Sequence, residues 1–309
     1  MRGLFYLLLL LTSMLWGGNF VAGTFLVGHA SVITLTNMRW GISVICLIPL
    51  VWVKDRRLLP PKRALLPLFM MGLTGVALFN IFMFMALERT TADNVGLLSA
   101  LNPVAIAVVS FFVLKERLGP KQLLGMAISL FGVVVVITQG QVERLLHLQF
   151  NTGDLFMLLA VTCWGLYSVA GKKAMQHVSP WMSTLWQGVF GVVILLPFNL
   201  SDLSVKHATG PFWVATLYVS LGATVLATVL WNLGVHHIGG TKSGMFLNFN
   251  PIFTALISFI LIHEKMSLLQ MVGTAVVIAG VYLFTSSATG TRRVPDFGQQ
   301  ANTGESTGS

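Results

Sequence analysis

Arg39 is the one charged residue that falls well inside an apolar run of this 309-residue chain. A charge at that depth in hydrocarbon is costly, so it is normally paired, turned toward water or in use. Two roles fit it. It can clamp a carboxylate or phosphate on a ligand, or it can snorkel to the interface and cap backbone carbonyls. Asn102-Pro103 and Asn250-Pro251 stand in the middle of two further runs. Proline has no N–H to donate, so in a continuous helix the carbonyls of Ser99 and Leu247 lose their donors. Such a helix can bend and offer oxygens to a ligand, or it can kink for packing alone. Trp16, Asn19 and Phe20 fall within a turn of one another, and so do Trp164 and Tyr167. Tryptophan favours the membrane interface. Placed mid-run beside Gly or Asn, it suits a cavity wall or a helix contact equally. Gln187, Asn80, Thr228, Trp231 and Asn232 complete the candidate lining.

Other chemistries find little to work with. The sequence has no His-Glu-x-x-His and no Gly-x-Ser-x-Gly. Gly239-Gly240-Thr241-Lys242-Ser243 lacks the glycine that a phosphate loop places directly before its lysine. His236 and His237 are adjacent, so a helix sends them to different faces, a poor arrangement for a metal. Cys46 and Cys163 lie in apolar runs with no Cys-x-x-Cys spacing, as small core residues do. The expectation is a protein without cofactor or metal, and not an enzyme. Glu88 and Asp93 read as loop charges. Glu116 and Glu264 follow the Asn-Pro segments, where they can pair with Lys115, Arg117 and Lys265 or hold a gate closed. No carboxylate lies at mid-depth, which tilts the ligand toward zwitterions or anions and away from lipophilic cations.

The elements that must hold these residues follow from composition. Hydrophobic residues make up 55% of the chain and charged ones 9%, with a mean hydropathy of +0.81. An average soluble domain has about 25% charged residues. A spanning helix needs about twenty apolar residues. Ten runs meet this, at about 4–28, 32–53, 65–88, 92–114, 119–138, 153–173, 179–199, 211–236, 241–262 and 267–286. With the N-terminus in the cytoplasm, fourteen Lys and Arg fall on the cytoplasmic side and four on the other. That asymmetry orients the chain with both ends inside. It accounts for the net charge of +9 without a nucleic-acid partner. Residues 289–309 are rich in Ser, Thr and Gly and read as a disordered cytoplasmic tail.

The chain also matches itself at an offset of 148. Trp16-Gly17 recurs as Trp164-Gly165 and Pro49 as Pro197. Between Gly96 and Gly132, eleven of 37 positions are identical to Gly244–Gly280, among them Asn102-Pro103, Glu116, Gln122 and Gly125. Arg39 corresponds to Gln187. The spacing predicts a duplicated five-helix unit, 1–140 and 153–288, with 141–152 between them. Five is odd, so the second copy enters the membrane inverted, a device that secondary transporters use to expose one site to alternate sides. Gly125/Gly132 and Gly273/Gly280, each pair two turns apart, suit close helix packing.

Trp-Gly in the first helix of each half, Asn-Pro in the fourth and Glu just after it, then Gln and two glycines, resemble the EamA-type branch of the drug/metabolite transporter superfamily. The resemblance covers residues 4 to about 286. It implies an all-α integral membrane protein of ten transmembrane helices in two inverted repeats. It also implies a multi-pass protein of the bacterial cytoplasmic membrane. The implied activity is secondary-active movement of a small molecule, with export of amino acids or related metabolites first. Efflux of toxic or cationic compounds and metabolite uptake stand as alternatives. Partners are the substrate and the lipid bilayer. Proton coupling, and monomer against homodimer, stay open.

Overall fold

The computed structural model describes residues 2–23, 25–26, 28–89, 95, 98–138, 151–199, 204–261 and 267–286. Asp93, Glu264, most of 141–152, the tail 289–309 and the side chain of Phe20 lie outside the described residues. Among the described residues the regular elements are all helices, joined by turns and short coil, without strands. The helices are α1 (Arg2–Gly23), α2 (Val32–Asp55), α3 (Lys62–Leu87), α4 (Asn102–Leu114), α5 (Pro120–Thr138), α6 (Thr152–Ala174), α7 (Pro180–Asn199), α8 (Gly210–Ile238), α9 (Gly240–Leu261) and α10 (Leu268–Ser286). Nine are long and apolar enough to cross a membrane, and α4, with 13 residues, is shorter. Local chemistry sets several ends. Ser31 accepts from the Thr34 amide at 3.2 Å to start α2. Asn151 and Asp154 form a reciprocal capping box on α6. Arg56 and Lys115 close α2 and α4 in the left-handed region, φ 54° and 57°.

Three helices are not uniform. In α3 the α-helical Lys62–Met71 and Phe79–Leu87 flank a π segment, Gly72–Leu78. In α8 a π segment, Tyr218–Leu226, lies between Gly210–Leu217 and Ala227–Ile238. The two π segments end at positions 148 apart. In α9 a 3-10 stretch, Met245–Phe249, precedes Asn250–Leu261. The Asn-Pro pairs therefore act differently from the expected mid-helix kink. Asn102-Pro103 and Asn250-Pro251 each open a new α-helical segment, after a turn at Ala100-Leu101 and after the 3-10 stretch. At Pro103, in the first turn of its segment, the missing N–H is one that would stay unbonded anyway; at Pro251 the break is the change from 3-10 to α-helix.

Glycines set how the helices meet. A Cβ at Gly125 would lie 2.8 Å from the Gly280 carbonyl, and one at Gly280 2.7 Å from the Gly125 carbonyl. Gly132 and Gly273 face each other the same way, at 2.9 and 3.0 Å. Gly125 opposes Gly280 while Gly132 opposes Gly273, so α5 and α10 run antiparallel with their backbones in contact. Elsewhere first helices cross to fourth helices of the other half. Gly17 of α1 seats against α9, where its Cβ would lie 3.1 Å from the Asn250 carbonyl, and Gly165 of α6 seats against the Ala105 carbonyl of α4 at 2.9 Å.

The bundle has two end faces. At the basic face Glu116 accepts from the Lys172 ammonium and from the Thr241 hydroxyl, the latter at 3.0 Å. Ser179 donates to Asp55 there, and the Trp186 indole donates to the Leu58 carbonyl at 2.7 Å. Glu116 thus reaches across the bundle, and its sequence neighbours Lys115 and Arg117 are not its partners. The αL conformation of Lys115 turns the chain toward α6 and α9. At the opposite face the Lys206 amide donates to the His29 carbonyl at 2.6 Å, and the Thr34 hydroxyl to Asn199 at 2.7 Å.

Candidate functional site

Three tryptophans from three helices meet in the middle of the bundle. The ring centroids of Trp16 (α1) and Trp164 (α6) are 5.5 Å apart, those of Trp16 and Trp231 (α8) 5.5 Å, and those of Trp164 and Trp231 5.9 Å. Tyr167 lies 5.0 Å from Trp164, and Phe79 of α3 lies 5.2 Å from it on another side. The separations and tilts suit favourable aromatic pairing. Trp16 is held by its indole N–H, which donates to the Ala223 carbonyl inside the π segment of α8 at 2.9 Å. The indole nitrogens of Trp164 and Trp231 are buried and have no partner.

Below the cage, toward the basic face, runs a polar chain. The Tyr167 hydroxyl donates to Asn232 Oδ1 at 3.4 Å, Asn232 Nδ2 donates to Thr184 Oγ1 at 3.0 Å, and Thr184 donates to the Pro180 carbonyl at 2.8 Å. Gln187 stands beside the Tyr167 hydroxyl, with its own Oε1 unpartnered. The Tyr167 ring lies over Gly75 in the π segment of α3, so close that a Cβ there would run into it.

Unpaired acceptors flank the cage. Asn19 lies a turn beyond Trp16 on α1. Asn250 lies across from Gly17, and Asn102 sits a turn before Ala105, which touches Gly165. The Oδ1 atoms of Asn19, Asn102 and Asn250 are all buried without a partner. Buried polar atoms are nearly always paired, and leaving one unpaired costs about 1–3 kcal/mol. Here the unpaired donors belong to the aromatic cluster itself, and the unpaired amide oxygens sit on α1 and on α9 and α4, which meet α1 and α6 at Gly17 and Gly165. Such a set can take a ligand carrying both a carboxylate and an ammonium group.

Two expected members stand apart. The turn of α2 that follows Arg39 packs on α8: the Ser43 hydroxyl reaches both the Arg39 backbone carbonyl, at 2.6 Å, and the Ser220 carbonyl, at 2.9 Å. The Arg39 side chain is a separate matter. Its Nε is buried without a partner, and no carboxylate pairs with it among the described residues. Counting residues from the helix starts, Arg39 is about 8 Å nearer the opposite face than Trp164. Asn80 leaves the cage altogether and lines a pocket of about 300 Å³ near the opposite face with Thr36, Phe84, Met85 and Leu195.

Phe79, Thr184 and Asn37 were missed in the sequence. Phe79 and Thr184 look like ordinary residues of apolar runs, and only the π turn of α3 and the position of α7 bring them into play. Asn37, two residues before Arg39, has both amide atoms buried and unpartnered; an asparagine inside a run was the available signal. Among the described residues no group of His, Cys, Asp and Glu could hold a metal. The ring centroids of His236 and His237 are 4.9 Å apart and steeply inclined.

Comparison with known proteins follows the same outline. A family model described as the EamA-like transporter family matches residues 3–138 and again 151–286. The "uncharacterized transporter YyaM" of Bacillus subtilis is 29% identical over 94% of this chain and 95% of its own. A "probable terminal-alkyne amino-acid exporter" of Streptantibioticus cattleyicolor is 26% identical over 76% of this chain and 77% of its own. One solved crystal structure, 20% identical, superposes with a TM-score of 0.76 over 92% of this chain and 98% of its own, a likeness of fold.

Proposed function

The chain belongs to the EamA-like transporter family of multi-pass membrane proteins, and from that premise we propose that it exports amino acids or related small metabolites by secondary-active alternating access. The observation that carries this is the three-tryptophan cage with buried, unpaired indole donors on Trp164 and Trp231, on helices that pack against those bearing the buried, unpaired amide oxygens of Asn19, Asn102 and Asn250. A zwitterion satisfies both kinds. The relative named as a probable amino-acid exporter points the same way. Arg39 is the positive end of the path, where a carboxylate pairs during passage. Gln187, beside the Tyr167 hydroxyl, belongs to the same set.

The two halves, 1–140 and 153–288, are inverted repeats giving ten crossings. Equivalent helices α5 and α10 run antiparallel, with Gly125 against Gly280 and Gly132 against Gly273, as a two-fold axis in the membrane plane requires. The basic face is cytoplasmic, with both termini on that side of a bacterial cytoplasmic membrane. The protein works without cofactor and without covalent chemistry.

The aromatic faces supply a second reading, efflux of a lipophilic cation, since rings alone attract one. One experiment separates the two. Purified protein in proteoliposomes is offered labelled leucine and, separately, tetraphenylphosphonium, with and without a pH gradient. Export of amino acids is supported if leucine moves and both Trp164→Phe and Arg39→Gln abolish its movement in folded protein. If tetraphenylphosphonium alone moves, and Arg39→Gln leaves it untouched, the cation reading replaces it. The pH gradient reports proton coupling in either case.

A further inference from the structure

Helix α3 divides the protein into two compartments. Phe79 and Asn80 are consecutive on it, and residues one apart on an α-helix point about 100° apart. Phe79 goes to the cage, 5.2 Å from Trp164. Asn80 goes to the pocket between α2, α3 and α7. We propose that this pocket is a second ligand site, separate from the cage, for a small molecule with a compact apolar body and an uncharged hydrogen-bonding end.

The walls fix the body. Ile33, Ile81, Phe84, Met85 and Leu195 line the pocket, whose volume of about 300 Å³ lies at the small end of the range for ligand sites. The polar groups fix the end. Asn80 gives Nδ2 to the Val76 carbonyl at 2.6 Å, so its Oδ1 is left to accept from a ligand. Thr36 adds a hydroxyl on the facing wall. One turn deeper on the same strip of α2 stand Asn37 and Trp40. Trp40 packs in one cluster with Ile33, Ile81 and Leu195, so it underlies the pocket. Both amide atoms of Asn37 and the indole nitrogen of Trp40 are buried and unpartnered. The lining itself thus offers the Asn80 acceptor and the Thr36 hydroxyl, with unpaired groups of Asn37 and Trp40 behind it, and none of these is charged. The one ionisable residue of the lining, Glu88, is at the rim, 70% exposed and already paired with Arg89 at 3.0 Å. A charged end would enter without a counter-charge and pay for its desolvation.

The second half of the chain explains why the pocket belongs to the first. At the offset of 148, Thr36 corresponds to Thr184, Asn80 to Thr228 and Phe84 to Asn232. Asn232 donates to Thr184 and accepts from Tyr167, which ties α6, α7 and α8 together. Phe84 offers no such bond to Thr36, so the same groove between α2 and α3 stays open.

The test is equilibrium binding of tritiated benzamide to the full-length protein in nanodiscs, which does not depend on what the cage carries. Benzamide binds saturably, Leu195→Trp removes the binding by filling the pocket, and Asn80→Leu weakens it about tenfold through one lost hydrogen bond. Benzoate, the same ring with a charged end, does not compete. Trp16→Phe, which alters the cage, leaves benzamide binding in place. Each variant is first shown to be monodisperse with a cooperative melt, and Ile81→Phe replaces Leu195→Trp if the latter fails. Non-saturable uptake equal to that of protein-free nanodiscs overturns the proposal, because the lipid then accounts for it. So does equal competition by benzoate, or loss in Trp16→Phe with retention in Leu195→Trp.

Discussion

Trp16 and Trp164 occupy equivalent places 148 residues apart in the chain, and their indole rings meet edge to face with centroids 5.5 Å apart. In the proposed two-fold arrangement equivalent residues touch only near the axis, which would put the cage where the halves join. The two rings are nonetheless held differently. Trp16 donates to Ala223, while Trp164 donates to nothing. Trp16→Phe therefore removes a hydrogen bond between α1 and the Ala223 carbonyl of α8 and costs about 1 kcal/mol of stability. Trp164→Phe loses no hydrogen bond within the protein, so its melting temperature stays near wild type while substrate movement falls. Thermal melts in detergent, run beside the proteoliposome assay, check both. Equal destabilisation by the two would mean that Trp164 is a packing residue.

Glu116 links three helices at the basic face through Lys172 and Thr241. Its side chain is 13% exposed and that of Lys172 32%, so water screens the pair only in part. Glu116→Gln is expected to cost about 1–2 kcal/mol and to open this face more often. The readout is labelling of Ser243→Cys, a fully buried position, by an impermeant maleimide with Cys46 and Cys163 changed to Ser. Glu116→Gln and Lys172→Met should each speed labelling. The swap Glu116→Lys with Lys172→Glu should restore slow labelling only in part, because a lysine at 116 cannot accept from Thr241.

The seam between α5 and α10 tolerates no side chain. Gly125→Ala and Gly280→Ala each push a methyl into the facing backbone, with about 1–3 kcal/mol lost to overpacking. Both share one contact, so the double variant should lose less than the sum. Gly41→Ala is the control: nothing lies within 4 Å of its Cβ position, and in a helix the change should be neutral or slightly stabilising. Unfolding midpoints of the four proteins decide it. A seam variant as stable as Gly41→Ala would refute the close approach.

Apolar run length made nine of the helices legible, and the offset of 148 made the pairing of Trp16 with Trp164, and of the seam glycines, legible too. The π segments were not. An extra residue per turn changes neither composition nor periodicity enough to read, yet in α3 it decides that Phe79 faces the cage and Asn80 the pocket. The role of the prolines was half legible: Pro103 and Pro251 do mark breaks, but by opening segments and not by bending continuous ones. Of the two readings of Glu116, pairing with its neighbours Lys115 and Arg117 rested on sequence distance, the only distance a sequence offers, and the gate contact had no partner to name. The left-handed turn at Lys115, φ 57°, sends Glu116 elsewhere. Arg39 could be placed inside a run but not given a neighbour, since Ser43 and Ser220 meet only once α2 packs on α8.

Asn232 should hold the basic-face groove shut, and removing its bonds should open that groove. Asn232→Leu keeps the volume close but leaves the Tyr167 hydroxyl without an acceptor, at a cost of about 1–3 kcal/mol. Thr184, fully buried in the wild type, would lose its donor from α8. A cysteine at Thr184 in the cysteine-free background should then react with an impermeant maleimide added on the basic face several times faster with Asn232→Leu than without it. A cysteine at Thr36, its equivalent near the other face, lies in a pocket already open and should react with reagent added from that side in both backgrounds, except that a shift of the whole protein toward a state open at the basic face would slow it. Acceleration at 184 with slowing at 36 means that the two grooves open alternately and that the Asn232 bonds set the balance. Acceleration at 184 alone means that the groove has merely loosened, and the alternating-access reading loses this support.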